Sequence, residues 1–239
     1  MDEIVRRAVE RAIVTMEEKL GEPLTIDDIA RSASFSKFHF SRLFQQATGV
    51  SPGRFLSALR LAEAKRLLLT TSITVTDISH RVGYNSVGTF SSRFSTTVGI
   101  SPAAYRRLSG SAPLTPSDQR RSAGPRGTIV RGTVHAPPGG VPGLVFVGLF
   151  PSRITEGRPA RHVVLEAPGP YLLDDVPEGS WHLVAHCEDD SGHIAHHGPV
   201  PTRPEVAATL VDLRLRPVRM FDPPMLLALP ARHPVKLAV

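Results

Sequence analysis

One stretch of this chain is written twice. Residues 24–56 read LTIDDIARSASFSKFHFSRLFQQATGVSPGRFL, and residues 73–106 read ITVTDISHRVGYNSVGTFSSRFSTTVGISPAAYR. Thr25, Asp28 and Ile29 return 49 positions later as Thr74, Asp77 and Ile78. Phe40, Phe44, Gly49 and Ser51-Pro52 return 50 positions later as Phe90, Phe94, Gly99 and Ser101-Pro102. A repeat of this period is one supersecondary unit made twice. The one-residue difference in shift falls between the two helices that each copy predicts.

Each copy accounts for its own local structure. Thr25 and Thr74 precede an Asp by three residues, the spacing of a capping box, and so predict helix starts. A short helix follows, with Ile29, Ala30 and Ala33 on one face of the first copy and Ile78 and Val82 on that of the second. A tight turn comes next (Ala33-Ser34-Phe35, then Val82-Gly83-Tyr84), and a second helix begins near Ser36 or Ser86. It should stop at Gly49 or Gly99, where glycine adopts the left-handed conformation that ends helices. Helix, tight turn, helix is the arrangement whose second helix enters a DNA major groove. Between the copies, Ser51-Pro52 predicts another helix start, and GRFLSALRLAEAKRLLLTT continues it to about Leu69. At 1.5 Å per residue that rod is ~27 Å long. It is long enough to present two readers to successive major grooves, ~34 Å apart on one side of a duplex.

These residues resemble a known family. The run RLAEAKRLLL (60–69), DIxxxVGY (77–84), FSSRF (90–94) and GISPAAYRR (99–107) together look like the DNA-binding domain of AraC/XylS-type bacterial transcription regulators. The resemblance covers 24–107, in motif order and in spacing. It implies seven helices and a role in transcriptional regulation. Lysine or arginine is common around Ser95 in that family, so this chain departs from the pattern in its second recognition helix.

Charge agrees with the repeat. Residues 1–110 carry 15 Lys/Arg against 10 Asp/Glu, whereas residues 128–239 carry 10 against 11. The basic excess thus lies with the helices, as a phosphate-binding surface needs. A single cysteine, Cys187, excludes a disulfide within the chain and fits a reducing cytoplasm. The first twenty residues have no apolar core of the kind a signal peptide needs. They predict an amphipathic helix with Ile4, Val5, Ala8, Val9, Ala12, Ile13, Met16 and Leu20 on one side. No apolar run is long enough to span a bilayer, so no membrane role is expected.

The expected organisation is a multidomain α plus β chain. Residues 1–108 form an all-α double helix-turn-helix domain, 109–127 a flexible Pro/Gly/Ser-rich linker with Arg120, Arg121 and Arg126, and 128–239 an all-β antiparallel sandwich. In the last part, period-2 patterning predicts strands at 128–134, 144–150, 162–166, 171–174, 181–187 and 206–215. GPYLLDDVPEGSWHLVAH (169–186) resembles a hairpin pattern of prealbumin-like and carboxypeptidase-regulatory-like domains, with Trp181 where Tyr is usual. The apolar, proline-rich tail from Met220 is expected against a sheet or a partner chain.

Chemistry is sought first among the histidines of the β half. His182 and His186 share a strand face ~13 Å apart at ~3.3 Å per residue, too far to grip one ion. Cys187, His193 and His196 are weak metal candidates on a following loop. Asp174, Asp175, Asp189 and Asp190 fall in turns and loops, and no G-x-S-x-G, H-E-x-x-H or phosphate-cradling loop occurs. Neither enzyme activity nor a cofactor is expected. The expected function is a cytoplasmic, sequence-specific DNA-binding transcription regulator, activator or repressor, whose β half senses a ligand or mediates assembly. The alternative is a freestanding DNA-binding module whose β half is structural or docks protein. Double-stranded DNA is the expected partner. RNA polymerase, a small-molecule effector and a dimer partner through the β half are the further candidates. The first recognition helix should offer Lys37, Phe38, Ser41, Arg42, Gln45 and Gln46, the second Ser86, Gly88, Thr89, Ser91, Ser92 and Ser95. Thr25, Arg106 and Arg107 should meet phosphate, and the helical half is expected to work without the β half.

Overall fold

The computed structural model describes residues 2–111, 127–141, 143–187, 192–203 and 205–229. The linker arginines, Asp189, Asp190 and the last ten residues of the tail lie outside them. The chain divides into two compact units, one of residues 1–112 and 219–228, the other of 113–218 and 229–239. The first is helical, with α1 (Glu3–Glu18), α2 (Ile26–Ser32), α3 (Lys37–Thr48), α4 (Pro52–Thr70), α5 (Val75–Arg81), α6 (Val87–Val98) and α7 (Pro102–Arg107).

The duplication is visible atom by atom. Thr25 and Thr74 each accept the amide of the Asp three residues on. Gly49 and Gly99 close the recognition helices with φ of 80° and 96°. Phe40 and Phe44 meet at 5.5 Å and Phe90 and Phe94 at 5.6 Å, both pairs inclined at 52°. Phe44 then stands edge-on to Phe55, as Phe94 does to Tyr105. Phe40, Phe44, Phe90 and Phe94 are fully buried. They anchor each helix by its inner face and leave the outer face to solvent. The amphipathic α1 buries Ala8, Val9, Ala12, Ile13 and Met16, whereas Ile4 of its expected stripe is exposed in the first turn.

The two copies are joined by more than α4. Arg60 of α4 donates from Nε to Leu20 O (2.9 Å) and from Nη2 to Glu22 O (2.7 Å), holding the α1–α2 loop. Burial lowers its pKa. That loop lies directly on the turn of the second copy. A Cβ at Gly21 would stand 2.7 Å from Arg81 O, and one at Gly83 would stand 2.6 Å from Leu20 O and 2.8 Å from Arg60 Nη2. Backbone packed on backbone has no side chain that can yield, so the two copies are fixed against each other.

The tail segment Arg219–Ala228, expected at a sheet or a partner chain, belongs instead to the helical unit. Ala228 N donates to Val98 O at 3.0 Å. Lys65 of α4 donates to Met225 O at 3.0 Å and Leu227 O at 3.5 Å. Leu226, Leu227 and Ala228 are buried. The helical unit therefore contains a piece of chain from beyond the strands.

The second unit holds β1 (Thr128–His135), β2 (Val145–Phe150), β3 (His162–Leu165), β4 (Pro170–Val176), β5 (Gly179–Cys187), β6 (His193–Thr202), β7 (Ala208–Leu210), β8 (Leu213–Arg214) and β9 (Arg216–Pro217). One sheet runs β4-β1-β7, with β8 also on β1; the other runs β3-β2-β5-β6-β9. Val130, Val134, Tyr171 and Leu173 of the first share a core with Val145, Val147, Leu149, Leu183 and Ala185 of the second. Two sheets over one apolar core make the sandwich.

The observed strands differ from the expected ones at four points. The pairing is mixed, since β1 runs parallel to both β7 and β8. The single strand expected at 206–215 is broken at Val211 and Asp212. There the Tyr171 hydroxyl donates to Val211 O (2.6 Å) and the Asp212 carboxylate accepts Thr133 N (2.9 Å). The 169–186 pattern is not a hairpin either, because β4 and β5 lie in different sheets. Asp175, at φ 48°, and Pro177 turn the chain from one to the other. A further strand, β6, occupies what reads as a loop. Its Pro199 and Pro201 are tolerated because β9 pairs only with His193 and Ile194, leaving the proline end an edge.

Candidate nucleic-acid interface

On α3 the inward side is set by Phe40 and Phe44, so residues about 180° away must face solvent. Phe38, Arg42, Gln45 and Gln46 are exposed there, Phe38 to 87%. A phenylalanine that bare is uncommon on a structural helix face and normal on a binding one. Ser41, expected on this face, is half-buried on its flank. His39 was missing from the expected set. It is exposed, with its ring edge-on to Phe35 at 5.2 Å. Stepping 100° per residue from Phe40 places it about 20° beyond Gln46, so the periodicity already contained it. Lys37, in the first turn, is exposed and paired with Asp27 at 3.0 Å.

The outer face of α6 presents Gly88, Thr89, Ser92 and Thr96. Thr96 is a second residue that the sequence reading missed. Ser86 caps the helix by accepting Thr89 N at 3.4 Å, which leaves its hydroxyl proton for another acceptor. Ser91 and Ser95 are half-buried, and the Ser95 hydroxyl donates to Ser91 O at 2.7 Å. Ser95 is thereby turned along its own helix, so it is a poor reader in this state.

Two of the three expected phosphate contacts have other work. Thr25 has its hydroxyl and amide on the Asp28 carboxylate at 2.5 and 3.0 Å, which holds that carboxyl below its ordinary pKa. Its hydroxyl proton is committed to the capping box. Arg106 donates from Nε to Leu68 O (3.0 Å) and from Nη2 to Thr71 O (3.3 Å) and Ile73 O (2.8 Å). It clamps the end of α4, whose last carbonyls lack helical partners. Arg107 is exposed, beside it.

Among the described residues, the histidines of the β unit do not assemble a metal site. Cys187 and His193 face each other across the β5–β6 ladder, but strand parity sends His196 to the opposite face. No cluster of three metal-ligating side chains occurs among the described residues. Burial lowers the pKa of His162 and His182, which makes them less basic.

A family model described as a helix-turn-helix domain matches residues 29–108. The HTH-type transcriptional activator AarP of Providencia stuartii is 34% identical over 98 residues, 41% of this chain and 73% of that protein. The chain belongs to the AraC-type helix-turn-helix family of transcriptional regulators. The lactose operon transcription activator of Staphylococcus xylosus is 32% identical over 104 residues, 44% of this chain. The chain spans only 37% of the length of that AraC-type relative, and 34% of the regulator Rob of Salmonella typhimurium. Among solved structures, an AraC-type transcriptional regulator from Chromobacterium violaceum is similar at 33% identity, 44% of this chain, 93% of that one and a TM-score of 0.42. No helix among the described residues is long and apolar enough to cross a membrane.

Proposed function

We propose that this chain is a sequence-specific DNA-binding transcription regulator that sets α3 and α6 into successive major grooves of one duplex. The observation that carries this reading is the pair of recognition helices. Each is anchored by two buried phenylalanines and bare on its outer face, and the two are locked together through α4 and the Gly21–Arg81 and Gly83–Leu20 contacts. The 19 residues of α4 make a rod of roughly 28 Å, which suits the ~34 Å groove repeat. On α3, Arg42 has the donor pair that suits guanine, Gln45 and Gln46 the amide that suits adenine, and Phe38 a surface for a thymine methyl. Lys37, Arg42 and Arg107 are the phosphate candidates that remain, and the N-terminus of α6 with Ser86 and Thr89 is suited to hold register against phosphate.

The β unit is the candidate for ligand sensing or assembly. The competing reading makes it structural or a protein-docking surface. Sites selected by the full chain from a random DNA pool test the first statement: two half-sites about one helical turn apart support it, and a single short site or none contradicts it. A ligand that shifts the affinity for that site would favour sensing over the structural reading.

A further inference from the structure

The two copies end their recognition helices differently. In the first, Thr48 closes the end from within: its hydroxyl lies 2.9 Å from Phe44 O and 3.0 Å from Val50 O, and it receives Val50 N at 3.3 Å. With a shift of 50, the same position in the second copy is Val98, which has no hydroxyl. The Val98 carbonyl is reached by Ala228 N, at 3.0 Å, from 130 positions along the chain. The segment around Ala228 is fitted to that end of α6. Leu227 Cδ1 packs where a Cβ of Gly99 would begin, 3.6 Å away. Lys65 holds the carbonyls of Met225 and Leu227 and lies 5.7 Å over the ring of Tyr105. Tyr105 in turn stands edge-on to Phe94, at the centre of α6. The helix behind the second copy, α7, has 6 residues where α4 behind the first has 19. The second copy thus lacks the hydroxyl of Thr48 and the long backing helix, and the segment 219–228 lies at that end.

We propose that Arg219–Ala228 is a positioning strap that sets the second recognition helix, so that its contacts with α4 and the end of α6 govern binding at the second half-site alone. The strap hangs directly on the β unit: only Val218 separates Pro217 of β9 from Arg219. β9 is held to β6 through Arg216 and Pro217, and Val218 N donates to Gly192 O at 3.1 Å. At its start the strap is fixed as a turn, with Arg219 N on the Asp222 carboxylate and Asp222 N on Arg219 O.

The inference rests on the DNA-binding reading, and its test is arranged so that the two fail separately. The full chain is compared with Lys65→Met, with Leu227→Asp and with a variant carrying four Gly/Ser residues inserted between Val218 and Arg219. Each is measured on the selected site, on that site with the first half scrambled, and on that site with the second half scrambled. Scrambling the second half should weaken the parent about tenfold, the effect of one lost base-pair contact, and should weaken Leu227→Asp and Lys65→Met less than twofold. Their affinity for the first half should be unchanged. The insertion lies outside the strap's own contacts, so it should keep the parent's tenfold loss when the second half is scrambled, and a loss like that of Leu227→Asp would overturn the proposal. Equal loss at both half-sites, or no loss at either, overturns the proposal. Amide exchange of α6 and α3 in the free protein supplies a reading that needs no DNA: faster exchange near Val98 and Gly99 alone in Leu227→Asp supports the strap, and unchanged or equal exchange in both helices refutes it. If the parent selects no DNA site, the DNA-binding reading fails while the exchange result still decides the strap.

Discussion

The first and second readers share their buried residues and differ in nearly everything else. Phe40 and Phe44 pair as Phe90 and Phe94 do, and Phe44 meets Phe55 as Phe94 meets Tyr105, yet the outer face of α3 carries Phe38, Arg42 and Gln45 and that of α6 carries Gly88, Ser92 and Thr96. The turns differ too. Ser34 takes φ 65° with its side chain exposed, whereas Gly83 takes φ 82° pressed against Leu20 O and Arg60. Duplication preserved what anchors a helix and released what faces outward. The first copy became the one equipped to discriminate bases, and the second the one more tightly bound to its surroundings.

The largest effect that would break this comparison is at the turns. Gly83→Ala should destabilise the helical unit by about 3 kcal/mol, from the left-handed backbone and the clash with Leu20 O together. Ser34→Gly should stabilise it by about 0.5–1 kcal/mol by relieving the same conformation. Urea unfolding of the two variants checks this; equal effects would mean the copies are not locked through Gly83.

Next is Arg106. Its replacement by Ala strips the α4 end of three hydrogen bonds and should cost about 2–3 kcal/mol of stability. The dependence of DNA affinity on salt should remain as it was, because each neutralised phosphate contributes about −0.9 to the slope and Arg106 is occupied elsewhere. Arg107→Ala should show the reverse pattern, a reduced slope in a salt titration with stability intact. A changed slope in the Arg106 variant would restore it to the phosphate surface.

At the readers themselves, Arg42→Ala should cost ~1–3 kcal/mol of binding and relax one base position. A library of operator variants would show it. Smallest is Ser92→Ala, expected within about 0.5 kcal/mol on any operator. If scrambling the half-site under α6 weakens the parent as much as scrambling that under α3, the inequality of the readers is refuted.

Much of this was legible in the sequence because its signals are local. Capping boxes at Thr25 and Thr74, glycine stops at Gly49 and Gly99 and the phenylalanine spacing each lie within a dozen residues, and repetition confirms them. The AraC-type resemblance rested on the same stretches. What was missed depends on distance along the chain. Nothing near Arg106 reveals that its guanidinium will meet Leu68, Thr71 and Ile73. Arg42 and Arg106 are equally basic on paper, and only the fold turns one outward and the other onto carbonyls. β6 was hidden because His, Gly and Pro weaken its alternation, while the ladder with β5 from Gly179–Thr202 to Cys187–His193 decides the matter. The strap was hidden for the same reason, its partners being some 130 to 160 residues away.

That last separation also sets an order in time. The chain emerges from the ribosome from its N-terminus at ~5–20 residues per second, so residue 228 follows residue 98 by roughly 6–26 seconds. Thr48 is on hand to cap α3 as soon as its own helix is made. Val98 must wait until both sheets have been synthesised before Ala228 arrives. A nascent chain thus passes through a period with a finished first reader and an unfinished second one, and the strand-forming region has the whole of that interval to be made before the last helix cap is set.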